Sequence, residues 1–163
     1  MVLGMAIVMK ALEDITDEAS IFLDILPKDW QRTIKPYWDY YKKNSIVLVL
    51  RKDKKILAGG IVFKRVTPDT ILYRNEGNKL LEEGFYYLGF IWVPLKHRGK
   101  GYGSDWMTLL KLKYPDQKFW LTTEESGLTS FYENNNFEYV SSKTKNGETE
   151  YLFTYTPFKS PTL

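Results

Sequence analysis

The chain has 163 residues and a mass of 19.2 kDa, enough for one domain that buries a core without covalent staples. It has no cysteine and one histidine, His97, which excludes disulfides, thiolate and histidine-rich metal sites, and a cysteine nucleophile. A net charge of +3 is too small to argue for non-specific nucleic-acid binding, and 44% hydrophobic against 26% charged residues is the balance of a folded rather than a disordered chain.

No repeat, low-complexity tract or linker divides the chain, so residues 1–163 are expected to form a single domain. The opening MVLGMAIVMK is apolar but too short to span a bilayer, and it lacks a basic n-region and a small-residue cleavage site. No membrane partner is expected, and the expected location is cytoplasmic. Residues 5–10 read as a first strand. A helix is expected to start at Asp14-Ile15-Thr16-Asp17, with Ile15, Ala19, Phe22, Leu23 and Leu26 at helical spacing and Pro27 as its stop. A second helix carries Trp30, Ile34, Trp38 and Tyr41 on one face, with a kink or break at Pro36.

Residues 45–50 and 56–64 read as a hairpin around a charged turn, and Gly59-Gly60 predicts a bulge or a close backbone approach. Residues 66–84 are broken by Pro68, Asn75, Gly77 and Gly84, with at most one helical turn over 79–83. An apolar strand over 85–93 follows, then a helix over 101–113 with Tyr102, Trp106, Leu109 and Leu110 on one side. A strand over 119–123 and a short helix over 127–135 come next, the latter with Leu128, Phe131 and Tyr132 turned inward. The chain closes on a hairpin, 139–143 and 151–155, around Asn146-Gly147. The order is β-α-α-β-β-β-α-β-α-β-β, a mixed α+β domain of seven strands and about four helices.

The segment with the clearest chemistry is His97-Arg98-Gly99-Lys100-Gly101-Tyr102-Gly103, between a strand and a helix. Closely spaced glycines let the backbone curl and aim several N–H groups at one point, and the helix N-terminus adds partial positive charge. Lys96, Arg98 and Lys100 add full charges. The group that fits is a phosphate or pyrophosphate. The segment is not a Walker A loop, because Lys100 is followed by Gly101, and it is not the Rossmann fingerprint, because Gly99, Gly101 and Gly103 are evenly spaced.

Arg98-x-x-Gly101-x-Gly103 resembles motif A, [QR]-x-x-G-x-[GA], of the GNAT superfamily of N-acetyltransferases, with Val93 at the strand end five residues before the arginine. Downstream, Phe131-Tyr132-Glu133-Asn134-Asn135-Asn136-Phe137-Glu138 resembles the family's F-Y-E-x-x-G-F-E signature. Asn136 stands where the family has glycine, and asparagine is the next residue most at ease in the left-handed conformation that closes such a helix. The two motifs lie in the family's order, one helix and one strand apart. The resemblance implies the acyl-CoA N-acyltransferase fold: a central, mostly antiparallel, twisted seven-stranded sheet flanked by the helices.

It also implies roles. The cofactor would be acetyl-CoA, with its pyrophosphate on Arg98, Gly99, Lys100, Gly101, Tyr102, Gly103 and Ser104. Its pantetheine arm would run along Ile91, Trp92 and Val93, where a backbone N–H polarises the thioester carbonyl. Tyr132 matches the general acid that protonates the departing thiolate. The other partner would be an amine acceptor, a small molecule or a protein amine, attacking directly in a ternary complex, since no cysteine is present to carry the acyl group. The family's glutamate base position holds Tyr87 here, which leaves Glu83 or Glu124 as candidate bases or a water relay. A frequent family asparagine is Glu125. His97 falls beside the cofactor phosphates rather than the chemistry. Family members often dimerise, so a homodimer is a further expectation.

Trp30, Tyr37, Trp38, Tyr40, Tyr41 and Tyr73, with Glu76, Glu82 and Glu83, either surround an acceptor cation or pack helices on the sheet. Tyr87 and Glu125 motivate the alternative of a non-catalytic acyl-CoA-binding or sensing module on the same fold. A nucleotide- or nucleic-acid-phosphate binder built on the basic loop is the third reading, opposed by the small net charge and the failed Walker pattern.

Overall fold

The computed structural model describes residues 11–158. The strand expected over 5–10 lies outside them. Strand β1 is Glu13–Asp14, which pairs antiparallel with Val49 and Leu48. The helix expected from Asp14 therefore starts late. Asp14 Oδ1 accepts the Thr16 N–H at 3.0 Å and turns the chain into a 3-10 segment, Thr16–Glu18, before α1, Ser20–Leu23. The apolar spacing nonetheless serves its purpose, for Ile15, Ala19, Phe22, Leu23 and Leu26 are all buried. Pro36 splits the next helix as its chemistry demands, into α2, Lys28–Ile34, a 3-10 turn, and α3, Trp38–Tyr41.

Strands β2, Ser45–Lys52, and β3, Lys55–Phe63, form the expected hairpin. Gly59 and Gly60 sit at close approaches on opposite faces of β3. A side chain at Gly59 would start 2.3 Å from the Phe22 ring, and one at Gly60 would start 2.7 Å from the Trp106 ring. The segment before β4 is more ordered than its breakers suggest. A 3-10 segment, Pro68–Tyr73, leads into α4, Arg74–Glu82. Gly77 is not a breaker there but a close-packing point, 3.0 Å from the Trp120 ring by the same measure.

The rest of the chain follows the expected order: β4, Phe85–Trp92; α5, Tyr102–Lys113; β5, Lys118–Thr123; α6, Thr129–Asn134; β6, Glu138–Lys145; and β7, Glu148–Tyr155. Asn146 and Gly147 both take positive φ, the signature of a tight hairpin turn. The strands form one sheet in the order β1-β2-β3-β4-β5-β7-β6, antiparallel throughout except for β4 against β5. Each face buries its own apolar cluster. One joins Phe22, Leu26, Ile34, Phe63, Tyr73, Tyr87 and Trp120 beneath α1, α2 and α4. The other joins Leu48, Leu88, Trp106, Leu110, Tyr132 and Phe153 beneath α5 and α6. Trp106 locks α5 to the sheet through Nε1, which donates to the Leu48 carbonyl at 3.0 Å.

Candidate active site

The site begins with a fault in the central strand. Gly59 faces Trp92 and Ile61 faces Gly89, so β4 spends three steps where β3 spends two. The extra residue is accommodated by Phe90 at φ +56, rare for an aromatic residue. On its other side β4 pairs with β5 only through Phe85, Tyr86 and Tyr87, against Lys118, Phe119 and Trp120. Beyond Tyr87 the two strands part, leaving a wedge floored by the backbone of Phe90, Ile91 and Trp92. The irregularity lies opposite Gly59-Gly60, the pair whose sequence predicts a bulge or a close approach, although the extra residue falls on β4 rather than on β3.

At the open end of the wedge lies the glycine loop. Gly99 and Gly101 take φ +77 and +83, and nothing lies within 4 Å of where a side chain on either would start. Gly101 is the N-cap of α5 and supplies no capping side chain, so the N-cap residue leaves the first-turn N–H groups to other partners. The Arg98 side chain folds back. Its Nε donates to the Val93 carbonyl at 2.9 Å, and its guanidinium lies 4.6 Å from the Trp92 ring centre, which ties the loop to the end of β4. Lys96 and Lys100 stay exposed and form a basic rim. His97 belongs to that rim. Partial burial and the charges of Lys96, Lys100 and Lys55 hold its imidazole below the usual range.

Close contacts fix α5 against α6, among them the Lys111 ammonium on the Asn135 carbonyl. Gly103 lets the Phe131 ring approach, since a side chain there would start 3.2 Å from it. Ser104 Oγ accepts from Asn135 Nδ2 at 3.3 Å. Asn136 takes φ +67, with its N–H on the Glu133 carbonyl and the Phe137 N–H on the Tyr132 carbonyl, both at 3.0 Å. This is the left-handed helix stop expected of an asparagine in place of glycine. It aims Tyr132 into the sheet, where its ring packs on Phe131, Phe137 and Phe153. Its hydroxyl has no hydrogen-bond partner among the described residues. Burial, with the nearby charge of Glu125, pushes the phenol well above its ordinary range, so it keeps its proton at neutral pH.

The opposite face of the wedge carries carboxylates. Tyr87 is buried, and its hydroxyl donates to Asp69 Oδ2 at 2.7 Å; Asp69 also accepts from Thr67 Oγ1. Burial raises both groups, while the two hydrogen bonds pull Asp69 back. Beside this pair opens a cleft of about 260 Å3 lined by Asp69, Ile71, Glu124, Lys145, Glu148 and Glu150. Glu124 therefore lies at the wedge. Glu83 does not: it is exposed at the end of α4, before β4 begins. At about 3.3 Å per residue it stands roughly 20 Å back along the strand. Asp69 and Glu150 escaped the sequence reading. The available signal was modest: Glu150 stands two residues before Leu152, and so on the same strand face as a core residue.

The aromatic candidates divide. Trp30 packs edge-on against Phe90 and Trp92, with ring centres 6.0 and 5.4 Å away, and so supports the bulge from behind. Trp38 and Tyr41 pack on the same core cluster. Tyr37 and Tyr40 are mostly exposed. Tyr73 is fully buried, and its hydroxyl donates to the Glu150 carbonyl at 2.8 Å. Glu76 is ion-paired with Lys143, and Glu82 is exposed on α4.

The glycine loop opens a helix directly after β4, as the first motif implies, and the structure adds that β4 and β5 part beside it. The profile of the Acetyltransferase (GNAT) family matches residues 11–137. The chain belongs to that family. Solved structures agree at the level of fold. The ribosomal-protein-S18-alanine N-acetyltransferase of Escherichia coli is 17% identical, with 95% of this chain and 99% of that one covered and a TM-score of 0.63. An aminoglycoside 6'-N-acetyltransferase complexed with coenzyme A is 10% identical, with 93% and 99% covered and a TM-score of 0.64. A GNAT acetyltransferase of Elizabethkingia anophelis with acetyl-CoA bound is 15% identical, with 76% and 83% covered and a TM-score of 0.53. No curated protein matches the sequence. This GNAT domain has no described helix long and apolar enough to cross a membrane and no described cluster of metal-ligating side chains.

Proposed function

We propose that the protein transfers the acetyl group of acetyl-CoA directly to an amine. The observation that carries this reading is the open glycine loop at the mouth of the parted strands. Gly99 and Gly101 leave room for an anion beside the first turn of α5, and Lys96 and Lys100 add charge there. These features fit the pyrophosphate of a coenzyme A thioester, held by Arg98, Gly99, Lys100, Gly101, Tyr102, Gly103 and Ser104. When bound, that cofactor supplies an activated acyl carbon.

The chain's own groups do the rest. The backbone of the bulge, from Phe90 through Ile91 and Trp92 to Val93, lacks a β5 partner and offers N–H groups to the pantetheine arm and the thioester oxygen. Tyr132, buried and still protonated, gives its proton to the leaving sulfur. With no cysteine in the chain, the acyl group has no thiol to rest on and passes straight to the amine. The acceptor enters from the carboxylate face, where an ammonium is attracted.

The test is thiol release from acetyl-CoA across a panel of small amines and peptide N-termini, with binding measured by calorimetry. Tyr132→Phe is expected to lower kcat by roughly 100-fold, within the span of general acid catalysis, and to leave acetyl-CoA binding in place. Tight acetyl-CoA binding with no turnover on any amine would replace this reading with a non-catalytic acyl-CoA sensor, the role that Tyr87 and Glu125 at two family positions would suit.

A further inference from the structure

An amine acceptor arrives as an ammonium, so direct transfer needs a group that takes a proton before the amine can attack. The family's base position holds Tyr87, a buried phenol that stays protonated and donates to Asp69. The proton must go elsewhere, and the carboxylates of the cleft are not equivalent. Asp69 already accepts from Tyr87 and Thr67, one on each oxygen. Glu124 and Glu148 are exposed to water. Glu150 differs from all of them. It lines the cleft, yet its Oε2 is shielded from solvent and has no hydrogen-bond partner, the one such side-chain oxygen or nitrogen among the described residues. A buried carboxylate oxygen left unmatched is costly, and folded chains seldom keep one without a use.

We propose that Glu150 is the general base of the transfer, taking the proton from the acceptor ammonium in the cleft between Asp69, Glu124 and the β6–β7 turn. This rests on the acetyl-transfer reading above and deepens it. The residue is held in place through its backbone. Tyr73 Oη donates to the Glu150 carbonyl at 2.8 Å, and Lys143 on β6 is ion-paired with Glu76, so the β6–β7 hairpin is fastened to α4 and the turn before it. The soft terminal torsion of glutamate lets either oxygen face the cleft. The surroundings suit the task. Burial, then the charges of Glu124, Asp69 and Glu148, raise the Glu150 carboxyl to about 7, where it is part ionised at neutral pH and becomes a better proton acceptor. The other titratable groups around it are Tyr87 on β4, Tyr73 before α4, and two cations of β6, Lys145 and its cross-strand partner Lys143, the latter ion-paired with Glu76.

The step balances. The Glu150 carboxylate takes one proton from the ammonium, freeing the nitrogen lone pair. That pair forms the new C–N bond, the C–S bond breaks, and sulfur keeps the electron pair and takes the Tyr132 proton. The second proton lost by nitrogen restores Tyr132 through water, and the proton on Glu150 leaves to solvent.

The experiment compares the wild type with Glu150→Gln, which keeps the side-chain shape. Rates of thiol release from acetyl-CoA are measured against pH, with an alkylamine that the wild type acetylates and with hydroxylamine, a nucleophile largely neutral near neutral pH. The expected result is a loss of about 100-fold or more with the alkylamine near neutral pH. The ascending limb of the profile should move to the alkaline range, where the alkylamine itself loses its proton and activity returns, and the hydroxylamine rate should be nearly unchanged. Equal loss with both nucleophiles, or no loss with either, overturns the base assignment while leaving acetyl transfer intact. A wild type that binds acetyl-CoA and acetylates no amine overturns the acetyl-transfer reading, and the base assignment with it.

Discussion

At Asn136 a single side chain decides how the second motif ends. Its φ of +67 is a conformation in which an ordinary L residue pays about 1–2 kcal/mol, while asparagine pays less and glycine nothing. Asn136→Ala is therefore expected to cost about 1 kcal/mol in urea unfolding, and Asn136→Gly to be neutral or slightly stabilising. A fall in the urea midpoint of the glycine variant matching that of the alanine variant would show that the side chain, not the backbone, matters there. The same residue scale shows what was hidden from sequence. Asn136 was readable because helix stops have local chemistry. The Tyr87–Asp69 hydrogen bond joins positions 18 residues apart, and Glu150 meets Asp69 across a further 81 residues, so no local pattern announces either. Glu83 misled for the converse reason: near in sequence to the active strand, it stands at that strand's wrong end.

Elements with a strong period or a strong turn were legible. The loop from β4 into α5, the α6 motif and the Asn146-Gly147 hairpin all fall where pattern and turn chemistry put them. What did not show was breakage under tertiary load. The first helix shortened because Asp14 was captured by Thr16 and by pairing with β2. α4 formed across Gly77 because the Trp120 ring fills the space a side chain would need. The glycine loop carries the prediction that belongs to this scale. Gly101→Ala forces φ +83 on a residue with a side chain and places a methyl where an anion would sit. It is expected to raise the calorimetric Kd for coenzyme A by about tenfold or more, at a stability cost of about 1 kcal/mol. Unchanged affinity would mean that the loop does not hold the pyrophosphate.

Across the whole molecule, the carboxylate cleft sets how stability depends on pH. In the folded chain Glu150 is raised to about 7 from an ordinary value of 4.5, and Asp69 is shifted in the same direction. Between those two values the folded state holds more protons than the unfolded one, so stability falls as pH rises through this window and levels off above about 7. Glu13, paired with Arg51, and Glu76, paired with Lys143, are lowered instead, and their contribution is lost on acidification. The two trends place the stability maximum in the mildly acidic range. Glu150→Gln isolates one of them, because every other group cancels in the comparison. Near pH 3, below both values, Glu150 is protonated in both states, and the variant and the wild type should unfold alike. Near pH 8 the variant is expected to be more stable by about 2 kcal/mol, after allowing for solvent screening at a half-buried site, and to melt several degrees higher. A melting difference independent of pH would show that Glu150 ionises freely in the folded chain. A difference that grows with pH would mean that the fold gives up stability to keep a carboxylate poised in the cleft, the trade expected of a group retained for chemistry.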